Sequence, residues 1–264
     1  MRYNNIVEAR FINRPNRFIA NVSIDGKEET VHVKNTGRCK ELLVPNADVI
    51  LTKIDKPERK TKYDLISVYK DTEKDLSSYK ADREKDFNFI NNNINNLNTN
   101  ASFKENQFTR RLINMDSQAP NQVFEEYLQS GKFIKDIVYI KREKKHGDSR
   151  FDFYVETKEK KIFIEVKGVT LEKDGAVFFP DAPTERGVKH LRGLAKCVTE
   201  GYEALVVFIV QMKGVKYFSP NYDTHPEFGN TLKEVVANGV KAFAFDCQVS
   251  KDELVVDREV QVIL

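Results

Sequence analysis

Two short segments in the second half of the chain alternate apolar with polar residues, which is the pattern of half-buried β-strands. They cover residues 149–153 (SRFDF) and 162–167 (IFIEVK), and a polar stretch separates them. Because side chains on a strand alternate between its two faces, Glu165 and Lys167 project on the same side. An antiparallel hairpin would bring Asp152 beside them. The sequence therefore predicts a sheet that holds two carboxylates and one ammonium together.

Two carboxylates and a lysine are the groups that a Mg²⁺- or Mn²⁺-dependent phosphodiesterase requires. Carboxylate oxygens are hard ligands that hold the metal, the metal polarises a phosphate, and the lysine orients a water or stabilises developing charge. The alternative interpretation is a solvated strand face that carries one ordinary salt bridge. A short E-x-K string on its own does not exclude that alternative.

The order of an acid on one strand and E-x-K on the next resembles the PD-(D/E)-x-K nuclease superfamily. Longer strings, in order along nearly the whole chain, make it similar to the sugar fermentation stimulation protein family of bacteria and archaea. These strings are residues 32–38 (HVKNTGR) with 41–43 (ELL), 114–121 (NMDSQAPN), 149–153 (SRFDF), 165–171 (EVKGVTL) and 179–187 (FPDAPTERG) with 189–191 (KHL). The resemblance implies an OB-like N-terminal domain and, from the family's name, a role in sugar (maltose) catabolism.

The chain divides into three parts by composition. Residues 1–70 contain five short β-prone runs and a helical turn, which is typical of an OB-type barrel. Residues 71–109 are polar and rich in asparagine, and we interpret them as an insertion without catalytic groups. Residues 110–264 alternate helices and strands, as expected of a restriction-endonuclease-like mixed-sheet α/β domain. The fold class is therefore α/β, or α+β for the whole chain.

Periodicity and turn residues give the elements of the last part. The predicted helices are 120–129, a second one capped by Asp181 or Ala182 that ends before Gly201, and 228–238. The predicted strands are 134–141, 150–156, 161–167, the buried strand 204–210, 240–245, and a tail, 253–264, that adds an edge strand or returns to the first domain.

Composition excludes several classes of protein. The three cysteines are far apart and the four histidines are dispersed, so neither a disulfide framework nor a zinc site is expected. The longest apolar run is too short to span a bilayer and the chain begins without a signal-peptide pattern. We therefore expect a cytoplasmic protein with free thiols and no membrane partner. The absence of tryptophan and the accompanying lysine disfavour a sugar hydrolase.

The first predicted helix offers a third acid for the metal site. Glu125 and Glu126 are adjacent, so at most one of them faces the strands. The family resemblance places its helical acid in an N-x-x-x-x-E-x-L frame, which runs here from Asn121 to Leu128 and selects Glu126. A solvated helix face is the alternative for either residue.

Cations near the start of the second helix form a candidate phosphate clamp. Arg186, Lys189 and His190 lie in its first turns, next to free backbone N–H groups that favour anions. The alternative is an ordinary capped helix with a Glu185–Lys189 pair at i, i+4 spacing.

The first domain mixes cations with aromatic residues, as surfaces that bind single-stranded nucleic acid do. The net charge of the whole chain is only +3. Residues 1–70 carry five more basic than acidic side chains, which favours a nucleic-acid partner here. We predict ligand contacts for Arg14, Arg17, Lys34 and Arg38, and core positions for both Phe11 and Phe18.

These observations support two hypotheses of different classes. The first is a nucleic-acid-binding protein, on DNA rather than RNA, with a Mg²⁺- or Mn²⁺-dependent nuclease site formed by Asp152, Glu165, Glu126 and Lys167. The second is a non-catalytic DNA-binding regulator of sugar catabolism. The sequence contains no convincing helix-turn-helix pair to support the second.

Overall fold

The computed structural model describes residues 1–35, 37–73 and 108–264. Residues 1–70 and 112–264 form one compact unit, to which residues 71–111 are not assigned. The predicted insertion, 71–109, lies mostly outside the described residues, and the predicted domain boundaries stay predictions.

The N-terminal part is a closed five-stranded barrel, which confirms the predicted OB-like fold. Its strands are β1 (Ile6–Asn13), β2 (Ile19–Ile24), β3 (Lys27–Val33), β4 (Asp48–Lys53) and β5 (Tyr63–Glu73). They follow the order β3-β2-β1-β4-β5, and parallel pairing of β3 with β5 closes the barrel. Alternate apolar residues such as Val22, Val31 and Leu65 point inward and are fully buried. A sixth strand, β6 (Phe108–Asn114), extends this sheet beside β5.

The second domain is a nine-stranded mixed sheet with three helices. The helices are α1 (Ala119–Gln129), α2 (Glu185–Thr199) and α3 (Pro226–Ala237). The strands are β7 (Ile137–His146), β8 (Ser149–Thr157), β9 (Lys161–Val169), β10 (Leu171–Lys173), β11 (Ala176–Phe179), β12 (Glu203–Val210), β13 (Tyr217–Pro220), β14 (Lys241–Val249) and β15 (Leu254–Val262). Their order in the sheet is β10-β11-β13-β15-β14-β12-β9-β8-β7.

The helices cover the two faces of this sheet. On one face Phe124 of α1 packs in a core with Phe153 and Ile164. On the other face Leu191 of α2 and Phe228 of α3 pack in the larger core. Strand β12 lies between β9 and β14 and is buried along nearly its whole length, which confirms the predicted buried strand over 204–210. Sandwiched strands of this kind give continuous apolar runs.

Two local predictions were wrong. The second helix begins at Glu185, and its N-cap is Thr184, whose Oγ1 accepts from the N–H of Gly187 (3.1 Å). A hydroxyl three residues before a free N–H caps a helix, so Asp181 and Ala182 remain in the preceding loop. The edge-strand alternative for the tail was also wrong, because β15 lies between β14 and β13, whereas the alternative return to the first domain is confirmed by backbone hydrogen bonds of Asp252 and Leu254 with Tyr3 and Met1. Within the described ranges, no helix is long and apolar enough to span a membrane.

Candidate functional site

Strands β8 and β9 part at the position of the two carboxylates. Their antiparallel register ends with Phe153 opposite Ile164, which leaves Asp152 across from Glu165. There the backbone N–H of Val166 donates to Asp152 Oδ2 (2.8 Å). A side-chain carboxylate thus replaces the carbonyl that would normally accept this bond in a ladder. Both acids therefore lie where the two strands separate, and we call this place, with Asp152, Glu165 and Lys167, the cleft.

Asp152 is held from a second direction by helix α1. Its Oδ1 accepts from Nδ2 of Asn121 at the start of that helix (2.9 Å). Burial raises the pKa of Asp152, and the negative charge of Glu165 raises it further. The bond from Val166 N–H, the charge of Lys167 and the bond from Asn121 oppose this rise without cancelling it. The ionised form of Asp152 is therefore disfavoured in the metal-free fold.

Glu165 has the opposite electrostatic balance. It is only 2% exposed, and its Oε1 accepts from Nζ of Lys167 (2.5 Å) and from Nδ1 of His190. Burial alone would raise the pKa of Glu165, but the hydrogen bonds from His190 and Lys167 and the charge of Lys167 together hold it below its usual range. His190 in turn accepts at Nε2 from Nε of Arg186 (3.4 Å). Glu165 is therefore an oriented, ionised carboxylate.

The other oxygen of Glu165 is unsatisfied. Oε2 is buried and has no hydrogen-bond partner among the described residues. Buried carboxylate oxygens are nearly always paired, so this one calls for an explanation. It belongs to the same cleft as the carboxylate of Asp152, and oxygen pairs of this kind are the ligands that Mg²⁺, Mn²⁺ and Ca²⁺ prefer. The residues present therefore fit a divalent cation.

The three residues predicted from the strand pattern are Asp152, Glu165 and Lys167. The structure brings Glu165 and Lys167 into contact and places Asp152 across from them. It adds Asn121, which sequence reasoning did not select, although that residue opens the N-x-x-x-x-E-x-L frame. His190 is 6% exposed and donates to Glu165, and its predicted contact with nucleic acid stays a prediction. Its contact assigns it to the orientation of Glu165.

Glu126 has a different partner from the one predicted. Its Oε2 accepts from the N-terminal ammonium of Met1 (2.7 Å), and its side chain is 49% exposed. The physical reason is helical geometry: Glu126 lies five residues after Asn121, which turns it about 140° around the helix axis. Glu125 pairs with Arg142 (3.2 Å). Asp152 and Glu165 thus lie across from each other, Glu126 pairs with the N-terminal ammonium, and its predicted role as a third metal ligand stays a prediction.

For the other two cations of α2, Arg186 and Lys189, the predicted contact with phosphate stays a prediction. Arg186 and Lys189 are exposed, and Arg186 also contacts His190. The alternative Glu185–Lys189 pair is not the contact that forms, since Glu185 Oε1 lies 3.4 Å from Nε2 of His225.

Arg14 ties two loops of the barrel together. Its Nη1 donates to the carbonyls of Gly37 and Arg38 and its Nη2 to those of Arg17 and Asn35, at 2.6–2.8 Å. The remaining donor, Nε, is buried without a partner among the described residues. These bonds occupy the donors that a phosphate would need. The predicted contact of Arg14 with nucleic acid stays a prediction, and its observed role is to fix both loops.

The other predicted residues of the barrel divide into buried and exposed groups. Lys34 Nζ contacts the buried carboxylate of Asp116 (2.5 Å). Arg17 and Arg38 are exposed. Phe11 is 2% exposed, which confirms its core position, but the prediction for Phe18 was wrong, because that ring is 55% exposed. The strand β2 begins only after Phe18, at Ile19, so its ring does not join the inward alternation.

A second set of possible ligands lies between helices α2 and α3. Glu185, His225 and Glu227 have ligand atoms within 4.8 Å of one another. However, His225 Nδ1 accepts from the N–H of Thr184 (3.3 Å), which leaves the proton on Nε2 in the neutral ring. Glu227 is also paired with Arg192 (2.9 Å). This set is already satisfied internally, unlike Glu165 Oε2.

Fold and site together define a two-domain protein: a closed OB-like barrel joined to a mixed-sheet α/β domain with an Asp…Glu-x-Lys cleft. Residues 118–253 match the family model described as the sugar fermentation stimulation protein RE domain, and residues 12–75 match the SfsA N-terminal OB domain. The chain belongs to the sugar fermentation stimulation protein family.

Relatives extend over the whole chain. A sugar fermentation stimulation protein homolog of Clostridium beijerinckii is 52% identical over 264 residues and covers all of both chains. The homolog of Desulfitobacterium hafniense is 50% identical over 254 residues, covering 96% of this chain and 94% of its own. The structure of Pyrococcus furiosus SfsA in complex with Ca²⁺ shares the fold, with a TM-score of 0.77 and 24% identity over 100% of this chain and 98% of that one.

Proposed function

We propose that this protein is a nucleic-acid-binding phosphodiesterase that depends on a divalent cation, Mg²⁺ or Mn²⁺. The observation that carries the proposal is the buried, unpartnered Oε2 of Glu165 in a cleft shared with Asp152 and Lys167. A divalent cation would satisfy that oxygen and offset the repulsion between the two carboxylates. The Pyrococcus furiosus relative was solved with Ca²⁺, a cation of the same ligand preference.

Each residue of the cleft has a role in this proposal. Asp152 and Glu165 would hold the cation through carboxylate oxygens. Asn121 orients Asp152. His190 orients Glu165 by donating to its Oε1, which leaves Oε2 for the cation. Lys167, which contacts Glu165, has further N–H donors available for the attacking water or a phosphoryl oxygen.

The proposed reaction is hydrolysis of a phosphodiester. Water forms a bond from its oxygen to phosphorus and loses one proton to solvent, while the bond from phosphorus to the leaving oxygen breaks and that oxygen takes up one proton from solvent. The bound cation would act as a Lewis acid that stabilises negative charge on the phosphoryl group. The protein's own contribution is a fixed geometry, because β8, α1 and α2 each anchor one of the participating side chains and β9 anchors two.

The exposed edge of the barrel would hold the substrate. Arg14 binds carbonyls in both the loop before β2 and the loop after β3, so it presents Arg17, Phe18 and Arg38 together. Cations with an exposed aromatic ring bind single strands through phosphate attraction and base stacking. The loop after β3 also borders the end of β9, on which Glu165 lies. A single strand of nucleic acid bound at this edge would extend toward Asp152 and Glu165.

The proposal is tested with labelled single- and double-stranded DNA and RNA in the presence of Mg²⁺, Mn²⁺ or EDTA. We expect cleavage of at least one polymer with metal and none in EDTA. The variants Asp152→Asn and Lys167→Ala should abolish cleavage. Lys167→Ala should retain most binding affinity, because one lysine is a small part of a multi-phosphate contact. The control variant Asp25→Asn also removes one negative charge, but from an exposed turn, and it should cleave normally.

Absence of cleavage for every polymer with either metal would contradict the enzymatic proposal. If binding to DNA persisted under those conditions, the non-catalytic regulator would become the better account.

A further inference from the structure

A small cavity of about 180 Å³ lies where the barrel meets the end of β9. Its walls come from both domains and include Asn35, Thr170, Phe178, Asp181 and Gln211. Pockets for drug-sized ligands are usually about 300–1,000 Å³, so this one is suited to a single small ring. We propose that it binds one nucleobase of the substrate strand and selects bases that carry an exocyclic amino group; this inference rests on the proposed function.

The charge of the walls favours a base over a phosphate. Among the described residues that line the cavity, none is lysine or arginine, and Asp181 brings a carboxylate. A phosphate would be repelled there, whereas a neutral heterocycle with N–H donors would not. The cavity is thus chemically distinct from the exposed cations of the barrel edge.

Asp181, Gln211 and Asn35 leave two acceptors and one amide donor in the cavity. Nε2 of Gln211 already donates to Asn114 Oδ1 (2.8 Å) and to the carbonyl of Asp116 (3.0 Å), which leaves Oε1 as its remaining group. Asn35 Oδ1 accepts from the N–H of Gly37 (2.7 Å), which leaves its amide N–H₂. Cytosine, adenine and guanine each carry an amino group to donate to such acceptors, whereas thymine offers a carbonyl at that position.

Two glycines keep these acceptors accessible. A Cβ at Gly37 would lie 2.5 Å from Asp181 Oδ2, and a Cβ at Gly168 would lie 2.6 Å from Gln211 Oε1. Neither glycine has a positive φ, so backbone conformation does not require glycine at either position. The requirement is space, next to the two acceptor atoms on which the proposal depends.

Phe178 supplies a ring against which a base can stack. It is partly exposed and lines the cavity, whereas its neighbour Phe179 packs against Phe208 and Phe228 in the core. Stacking on an aromatic ring contributes to binding of any base, so Phe178 would give affinity and the acceptors would give selectivity.

The cavity is close to the proposed metal site. Val169 in its wall lies four residues after Glu165 on β9, on the same face of the strand, a separation of about 13 Å at the usual rise of a strand. A single nucleic-acid strand can therefore occupy both places at once. The base in the cavity would then fix the position of the strand relative to the carboxylates.

The matched probes are labelled single strands of dC and of dT of equal length, measured by fluorescence anisotropy in EDTA so that no cleavage occurs. The two polymers differ in the amino group of cytosine against the carbonyl of thymine, in the adjacent ring nitrogen, which accepts in cytosine and donates in thymine, and in the methyl group of thymine. We expect the wild type to bind the dC strand at least about fivefold more tightly. Gly37→Ala and Asp181→Asn should reduce that ratio toward one, with unchanged circular dichroism and melting temperature.

Two variants at Phe178 separate stacking from selectivity. Phe178→Leu should weaken binding of both the dC and the dT strand by a similar factor. Phe178→Tyr, which keeps an aromatic ring, should bind both as tightly as the wild type. Phe18→Leu, at the exposed barrel edge, should weaken both strands without changing their ratio.

Equal binding of dC and dT strands by the wild type would overturn the inference, as would a preference that survives both Gly37→Ala and Asp181→Asn. Cleavage is scored separately with Mg²⁺ or Mn²⁺. Cleavage without base preference would refute the cavity alone, whereas preference without cleavage would refute the nuclease and leave the cavity standing.

Discussion

Neutralising the two carboxylates one at a time should change the stability of the metal-free protein in opposite directions. Asp152→Asn should raise the melting temperature, and Glu165→Gln should lower it. The two substitutions are chemically equivalent in their loss of one negative charge. The difference lies in the surroundings, since the pKa of Asp152 is raised and that of Glu165 is lowered.

Asp152 is a group whose charge the fold disfavours. Because its pKa is higher in the folded than in the unfolded chain, its ionisation costs stability as pH rises through the folded value. An asparagine would keep both hydrogen bonds: its carbonyl can accept from Val166 N–H, and its amide can donate to Asn121 once that amide rotates. The substitution thus removes the unfavourable charge without losing a contact.

Glu165 is a group whose charge the fold requires. Its pKa is lowered, so its stabilisation is present above the unfolded pKa and is lost as pH falls through the folded value. Glu165→Gln would leave Lys167, 15% exposed, without its counter-charge. Removing one partner of a buried ion pair costs about 3–5 kcal/mol. For a protein of this size that corresponds to a decrease in melting temperature of roughly 6–20 °C.

The assay is calorimetry in EDTA near pH 7, with Asp25→Asn as the control for loss of one exposed negative charge. Repeating it at lower pH should shrink the gain from Asp152→Asn, because the wild-type carboxyl is then protonated already. Shifts of the same sign for both variants at neutral pH would refute the electrostatic description of the cleft.

Three further outcomes follow from the contacts. Saturating Mn²⁺ at about 100 times its dissociation constant should stabilise the wild type by about 2.7 kcal/mol, roughly 5–11 °C, and should not stabilise Asp152→Asn. Exchanging both Arg17 and Arg38 for alanine should flatten the slope of log affinity against log salt by roughly 1.4–1.8, whereas Arg14→Ala should lower the melting temperature because it releases four carbonyls. Asp246→Ala removes a fully buried carboxylate that accepts from a lysine, an arginine and two backbone N–H groups, and should cost about 1–3 kcal/mol in a denaturant titration.

Local patterns were sufficient to predict the strands that carry the site. The alternation around Asp152 and Glu165 and the E-x-K spacing depend only on which face each side chain takes, and that is a property of the strand itself. The same holds for the barrel strands and for the buried strand over 204–210.

Contacts between distant parts of the chain were not predictable in this way. The clamp formed by Arg14, the pairing of Glu126 with Met1 and the contact of His190 with Glu165 join residues 21 to 125 positions apart. Cation composition alone made Arg14 and His190 look like ligand-binding residues. Their partners, which are carbonyls and a carboxylate of the protein itself, become visible only once the strands and helices are assembled.

The interior position of β15 has the same origin. Its alternating pattern predicts a strand, but its neighbours are decided by where β13 and β14 lie and by the N-terminal residues that cover its start. Sequence pattern specifies the element, and the tertiary arrangement specifies its place in the sheet.

The most direct test of the central claim is to locate a bound metal. Crystals of the protein soaked in Mn²⁺ should give an anomalous difference peak at coordination distance, about 2.0–2.4 Å, from Glu165 Oε2 and a carboxylate oxygen of Asp152. The peak should be absent in crystals of Asp152→Asn. A peak at Glu185, His225 and Glu227 instead, or an empty cleft at saturating Mn²⁺, would contradict the assignment of the cleft as the metal site.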